Sequence, residues 1–172
     1  MTTLKKLLLA TVLSTATLLA GFSTVDCTNQ AHLDILKLPQ VECEALEALW
    51  DATDGPNWTD TTNWDTLTYA DTWSGVYMHD DNSSIKWFGW GGKGNNLVGQ
   101  LPEEIGNFEN IEILLFTRDA LTGEVPLSIN NLHSLKALQL TETQLSGPLP
   151  KLSLFSNLYF INFIGNHFTG SI

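Results

Sequence analysis

The chain repeats itself, and this repetition restricts its architecture more than any other feature. Leu97-Val98-Gly99-Gln100-Leu101-Pro102, Leu121-Thr122-Gly123-Glu124-Val125-Pro126, Leu145-Ser146-Gly147-Pro148-Leu149-Pro150 and Phe168-Thr169-Gly170-Ser171-Ile172 start 24, 24 and 23 residues apart. A second apolar set precedes the last three: Ile111, Leu114 and Phe116, then Leu135, Leu138 and Leu140, then Leu158, Ile161 and Phe163. A third lies between each proline and the next set: Ile105 and Phe108, Ile129 and Leu132, then Leu154. One such unit cannot bury its own apolar edge. Stacked neighbours can, and the result is a solenoid. Each unit opens with strand-like alternation, so Leu114 and Phe116 point inward while Ile113, Leu115 and Thr117 point outward.

The spacing L-x-x-L-x-L-x-x-N-x-L resembles the leucine-rich-repeat family. The added L-x-G-x-[ILV]-P resembles its plant-type class, a form also common in exported bacterial proteins. The resemblance implies an α/β repeat solenoid wound as a right-handed coil. A short parallel β-sheet would line the concave side, with 3-10 or irregular structure on the convex side and a helical N-terminal cap. It also implies a ladder of side chains that satisfy backbone groups of adjacent coils, here Asn95, Asp119, Thr143 and Asn166. Asp and Thr replace the usual Asn in two rungs and can also bond locally to backbone. The glycines permit close backbone approach. The first coil is degraded: Trp90 fits a core slot, and Gly92 stands where a leucine belongs. About four coils fill residues 85–172. The array stops at Ile172 inside the fourth with no polar cap, which reads as a fragment or a truncated longer array. The alternative is a last coil that pairs with a second copy or another chain.

Residues 1–23 read as a signal peptide. Lys5 and Lys6 precede an apolar stretch from Leu7 to Ala20, too short for a comfortable membrane span. Gly21 and Ser23 are small and occupy the −3 and −1 positions of a cut before Thr24. No membrane span is expected in the mature chain. Phe22 follows Leu19-Ala20-Gly21 where a lipid-anchoring signal would need Cys. The expected location is secreted or cell-surface, or periplasmic in a Gram-negative bacterium. Cys27 and Cys43, the only cysteines, would both meet an oxidising compartment. A disulfide between them would stabilise the chain by ~3 kcal/mol.

Residues 24–84 read as a capping module. Glu42 to Ala52 places Cys43, Leu46, Leu49 and Trp50 on one helical face. Pro39 precedes it, Gly55-Pro56 stops it, and acids in its first turn complement the helix dipole. Asn57-Trp58-Thr59, Asn63-Trp64 and Trp73-Ser74-Gly75-Val76 resemble the cap that precedes plant-type repeats. That cap usually ends in a second cysteine pair, and Met78 stands in the place of its last Cys. Trp50, Trp58, Trp64 and Trp73 are expected to seal the end of the solenoid; the alternative is that they stack on sugars. Asn57-Trp58-Thr59 and Asn82-Ser83-Ser84 fit the glycosylation sequon, which matters only in a eukaryote.

The outward strand positions form the expected binding surface. The first coil would place Gly89, Gly91, Lys93 and Gly94 there. The later coils contribute Ile113, Leu115, Thr117 and Arg118, then Gln139, Thr141 and Glu142, then Phe160, Asn162 and Ile164. Apolar residues at positions meant to face water mark a partner site. Catalysis finds no constellation: there is no nucleophile elbow, phosphate loop or zinc-protease helix. The four histidines lack metal-ligand spacing. No metal, cofactor or catalytic residue is expected. The net charge of −11 makes nucleic acid a poor partner. Three functions stay open: binding a protein or peptide on the concave face, binding a glycan or cell wall, and serving as the structural N-terminal part of a larger adhesin or receptor.

Overall fold

In the computed structural model, residues 24–170 are described. The expected signal peptide and Ile172 lie outside them. The chain opens with helix α1 (Gln30–Leu36), whose N-terminus is capped by the Asn29 side chain accepting from the Ala31 amide at 3.0 Å. Helix α2 (Gln40–Ala52) follows. Nine short strands come after: β1 (Val76–Met78), β2 (Ile85–Phe88), β3 (Val98–Gly99), β4 (Ile113–Thr117), β5 (Ala120–Glu124), β6 (Ala137–Thr141), β7 (Gln144–Pro148), β8 (Phe160–Asn162) and β9 (His167–Thr169).

The strands form two sheets that run along the stack of coils. The concave sheet has the order β1-β2-β4-β6-β8, and a flanking sheet has β3-β5-β7-β9. Every pairing in the concave sheet is parallel except β1 with β2. Parallel neighbours follow because each coil returns to the same edge after one turn. The convex side carries 3-10 turns at Glu103–Asn107, Leu127–Asn131 and Leu152–Leu154. Their prolines, Pro102 and Pro126, sit at the entry, where a fixed φ starts the turn and no amide is missed.

The core is a set of ladders. Leu114 and Leu138, Phe116 and Leu140, Leu121 and Leu145, Phe108 and Leu132 are all fully buried. Phe155 extends the last of these, while Leu154, expected in the core, is exposed. The coil is one residue shorter there, so the apolar slots fall on Leu152 and Phe155 instead.

The N-terminal segment joins the solenoid through backbone and side chains together. Carbonyls at the end of α2 have no helical partner and need one. Ala52 O accepts from the Gln100 amide at 3.3 Å and Thr53 O from Val98 at 3.0 Å. Gly99 permits this approach, since a β-carbon there would lie 2.1 Å from Ala52 O. Cys27 and Cys43 form the expected disulfide. Trp50, Trp58, Trp64 and Trp73 are buried. Trp50 stacks on Trp64 at 5.5 Å, and Trp58 meets both edge-on. Trp58 continues to Trp90, and Trp64 to Phe88, so the N-terminal segment and the first coil share one core. These four rings are packed on protein and have no free face for a sugar.

Glu42 lies in the first turn of α2. It is buried, and its Oε2 accepts from the Ile85 amide at 2.8 Å, which joins α2 to β2. Burial raises its pKa to about 7, against the pull of that amide and with repulsion from Glu109. Below about pH 4.5 the carboxyl is protonated in folded and unfolded chains alike. Between there and pH 7 the unfolded chain loses the proton first, so stability falls as pH rises; above 7 the loss is complete. Glu42→Gln keeps an acceptor without the charge. It is expected to raise unfolding free energy by up to about 3 kcal/mol at pH 8 and leave it unchanged at pH 4. Denaturant melts at both values check this.

Candidate functional site

The concave sheet presents one continuous row of outward side chains, set by strand register. Tyr77 of β1 pairs with Trp87 of β2, Trp87 with Ile113 of β4, Ile113 with Ala137 of β6, and Ala137 with Phe160 of β8. Every member is apolar or aromatic. Tyr77 and Trp87 stack at 4.6 Å. Tyr77 and Phe160 are 45% and 43% exposed, Ile113 is half-buried, and Ala137 is a small, covered step between them. Strands about 4.8 Å apart give five such positions a length of roughly 19 Å.

A second row on the same face is more polar. Leu115 pairs with Gln139 and Gln139 with Asn162. All three are half-buried. Gly89 stands beside Leu115, where a β-carbon would lie 2.2 Å from the Leu115 carbonyl oxygen. The third row closes. Thr117 and Thr141, expected to face water, are only 6% and 7% exposed. They keep the outward parity of Ile113 and Leu115, but their short side chains are covered. The Gln139 amide donates to Thr117 Oγ1 at 2.8 Å, and Thr141 Oγ1 donates to the Asn162 carbonyl at 3.3 Å.

Charges border both edges. Beyond the threonines, Arg118 and Glu142 are exposed and pair with each other at 3.0 Å. Before the apolar row, Lys136 Nζ lies 2.6 Å from Glu112 Oε1. That contact holds the Glu112 carboxyl below the usual carboxylate range. Ion pairs this exposed contribute little stability. They frame the apolar row with a polar rim, the arrangement found at protein interfaces. Ile164 lies beyond β8 and is 72% exposed.

Register also revises the first coil. The expected alignment set Gly89 against Ile113, Gly91 against Leu115 and Lys93 against Thr117; the observed pairing sets Trp87 against Ile113. Phe88 and Trp90 therefore pack inward, and no leucine is missing. The chain has two more residues between Trp87 and Asn95 than between Ile113 and Asp119. Gly91 and Gly92, both at positive φ in open space, take up the excess. The short run Val76-Tyr77-Met78 and the apolar Ile85, Trp87 and Phe88 around Lys86 were the signals for Tyr77 and Trp87. Counting back from Asn95 by the standard period missed them.

The fold matches solved receptor ectodomains. The PEPR1–AtPEP1 complex superposes with a TM-score of 0.63 at 25% identity, over 75% of this chain and 18% of that one. The leucine-rich-repeat ectodomain of the receptor kinase SOBIR1 from Arabidopsis thaliana gives 0.59 at 18% identity, over 77% and 71%. The ectodomain of the Arabidopsis receptor kinase HAESA, in complex with an extended IDA peptide hormone ligand, gives 0.55 at 19%, over 83% and 27%. The fold is that of a plant-type leucine-rich-repeat protein. Leucine-rich-repeat coils explain the even rows, because equivalent positions recur once per turn. No protein-family model and no curated protein sequence matches the chain. The chain spans about a fifth of the PEPR1 chain it matches. No helix among the described residues is long and apolar enough to cross a membrane.

Proposed function

We propose that this chain is an extracellular or surface binding module that takes a protein or peptide partner on its concave sheet and performs no catalysis. The continuous row of Tyr77, Trp87, Ile113, Ala137 and Phe160 carries the reading. Solvent-facing apolar residues cluster in this way where a partner buries them. The span of roughly 19 Å suits an extended segment of about six residues lying across the strands. Leu115, Gln139 and Asn162 sit beside it to meet the segment's backbone. The binding candidates are thus Ile113, Leu115, Gln139, Phe160, Asn162 and Ile164, with Tyr77 and Trp87 added. Arg118 and Glu142 form the rim. Thr117 and Thr141 act beneath the surface by fixing Gln139 and meeting the Asn162 backbone. The PEPR1 structure is a complex with AtPEP1 and the HAESA structure one with a peptide hormone, which supports a ligand of this class. The Cys27–Cys43 disulfide supports an oxidising location.

A glycan is the second reading. It rests on the partly exposed stacked pair Tyr77 and Trp87, because the cap tryptophans are buried. Selection from a displayed library of random peptides, run beside a glycan array, separates the two. Peptide binders should emerge and lose about tenfold or more in affinity to Leu115→Asp and Phe160→Asp. Val98→Asp, an exposed position on the flanking sheet, should leave them unchanged. Recovery of glycans alone, or equal loss with Val98→Asp, would refute peptide recognition by this face.

A further inference from the structure

We propose that the mature chain begins at Thr24 and that Asp65 is placed to receive the α-ammonium which processing creates there. Two independent observations meet at this residue. In the sequence, the lysine pair, the apolar stretch to Ala20 and the small residues Gly21 and Ser23 put an export cut between Ser23 and Thr24. In the structure, the Thr24 backbone nitrogen lies 2.8 Å from Asp65 Oδ1. Thr24 Oγ1 stands 3.1 Å from the same oxygen and also donates to the Asp65 carbonyl. The Val25 amide donates to Oδ1 at 3.3 Å. One carboxylate thus gathers donors from two successive residues, starting at the expected cut.

Both sides of the contact are held in place. Val25 and Cys27 are buried, and the disulfide to Cys43 ties this segment to α2. Asp65 follows the buried Trp64, whose indole donates to the Ser74 carbonyl at 2.8 Å. Cleavage adds water across the Ser23–Thr24 peptide bond. The oxygen goes to the Ser23 carbonyl carbon, the departing peptide gains a carboxylate, and Thr24 keeps a protonated amine. A peptide amide offers Asp65 one hydrogen and no charge. The ammonium offers three hydrogens and a full charge at the same distance. It also brings a cation to a region, residues 24–84, with twelve acids and Lys37 as its lone Lys or Arg.

The full chain expressed in a secreting host tests this. N-terminal sequencing and intact mass of the exported protein should show Thr24 first; any other start overturns the proposal. Amine-reactive labelling of Thr24, followed against pH, should have its midpoint about half a unit or more above the ordinary α-amino value of about 7.7–8.0. Asp65→Asn should return it to that range. If Asp65→Asn is not exported, wild type in 1 M salt serves instead: the midpoint should fall as the pair is screened to a Debye length of about 3 Å. A midpoint that moves with neither change refutes the role of Asp65.

Discussion

Phe116→Ala is expected to lower the unfolding free energy by about 3–5 kcal/mol, the range for emptying a fully buried aromatic site. Phe116 is fully buried at the middle of the stack and lies 5.8 Å from Phe88, ring to ring. Leu140 continues its ladder in the next coil, and Trp90 and Phe88 precede it. The cavity would therefore open between coils, where stacking supplies the only lateral support. Relaxation is limited because β4 is pinned on both sides, by β2 and by β6. At about 2–4 °C per kcal/mol for a chain this size, the midpoint should drop by roughly 6–20 °C. Calorimetry or thermal circular dichroism gives the answer. A change below about 1 kcal/mol would mean that the coils do not stack through this ring.

The second large effect is expected at Asp119, the ladder rung between the first two coils. Its Oδ1 accepts from the Asn95 amide at 2.9 Å and from the Leu97 amide at 3.1 Å. Asp119 is 5% exposed, and burial raises its pKa against the opposing pull of the Leu97, Asn95, Thr117 and Asn96 amides. Asp119→Ala would orphan at least two buried N–H groups at about 1–3 kcal/mol each, so a loss of about 2–6 kcal/mol is expected. Asp119→Asn should behave in the opposite way. Its side-chain oxygen keeps the amides, and the buried charge is gone. Its NH₂ would have a partner too, by analogy with Asn166, whose Nδ2 donates to the Phe163 carbonyl three residues earlier at 3.1 Å. At neutral pH this variant should match or exceed wild type in urea. A loss as large as that of alanine would show that the charge, not the acceptor, holds the rung.

The Asn, Asp, Thr, Asn ladder also shows where sequence and structure divide. Its positions were implied by the resemblance, and all four residues do bond to a neighbouring coil or to the N-terminal segment. Asn95 accepts from Asp60 at 2.7 Å, and Thr143 donates to Asn166. Asp119 reads in sequence as a weakened asparagine, whereas in place it is a buried carboxylate with several amide donors.

The sequence by itself determined the coil, the inward leucines, the stacked solenoid and the buried face of α2, because each is a local period repeated several times; the flanking sheet of β3, β5, β7 and β9 came only with the structure. Every turn of the chain meets a near-copy of itself, so spacing alone selects the neighbour. Tertiary structure decided what lacks such a copy. The antiparallel β1 brings Tyr77 beside Trp87 and so starts the apolar row. A two-residue excess at Gly91–Gly92 shifts the first coil's register. Glu42 is buried by pairing with a strand 43 residues away, and Thr117 is closed by Gln139 from the next coil. These outcomes depend on which distant backbone supplies the partner for a polar group that is about to lose water. No window along the chain contains that information, and only the packed molecule supplies it.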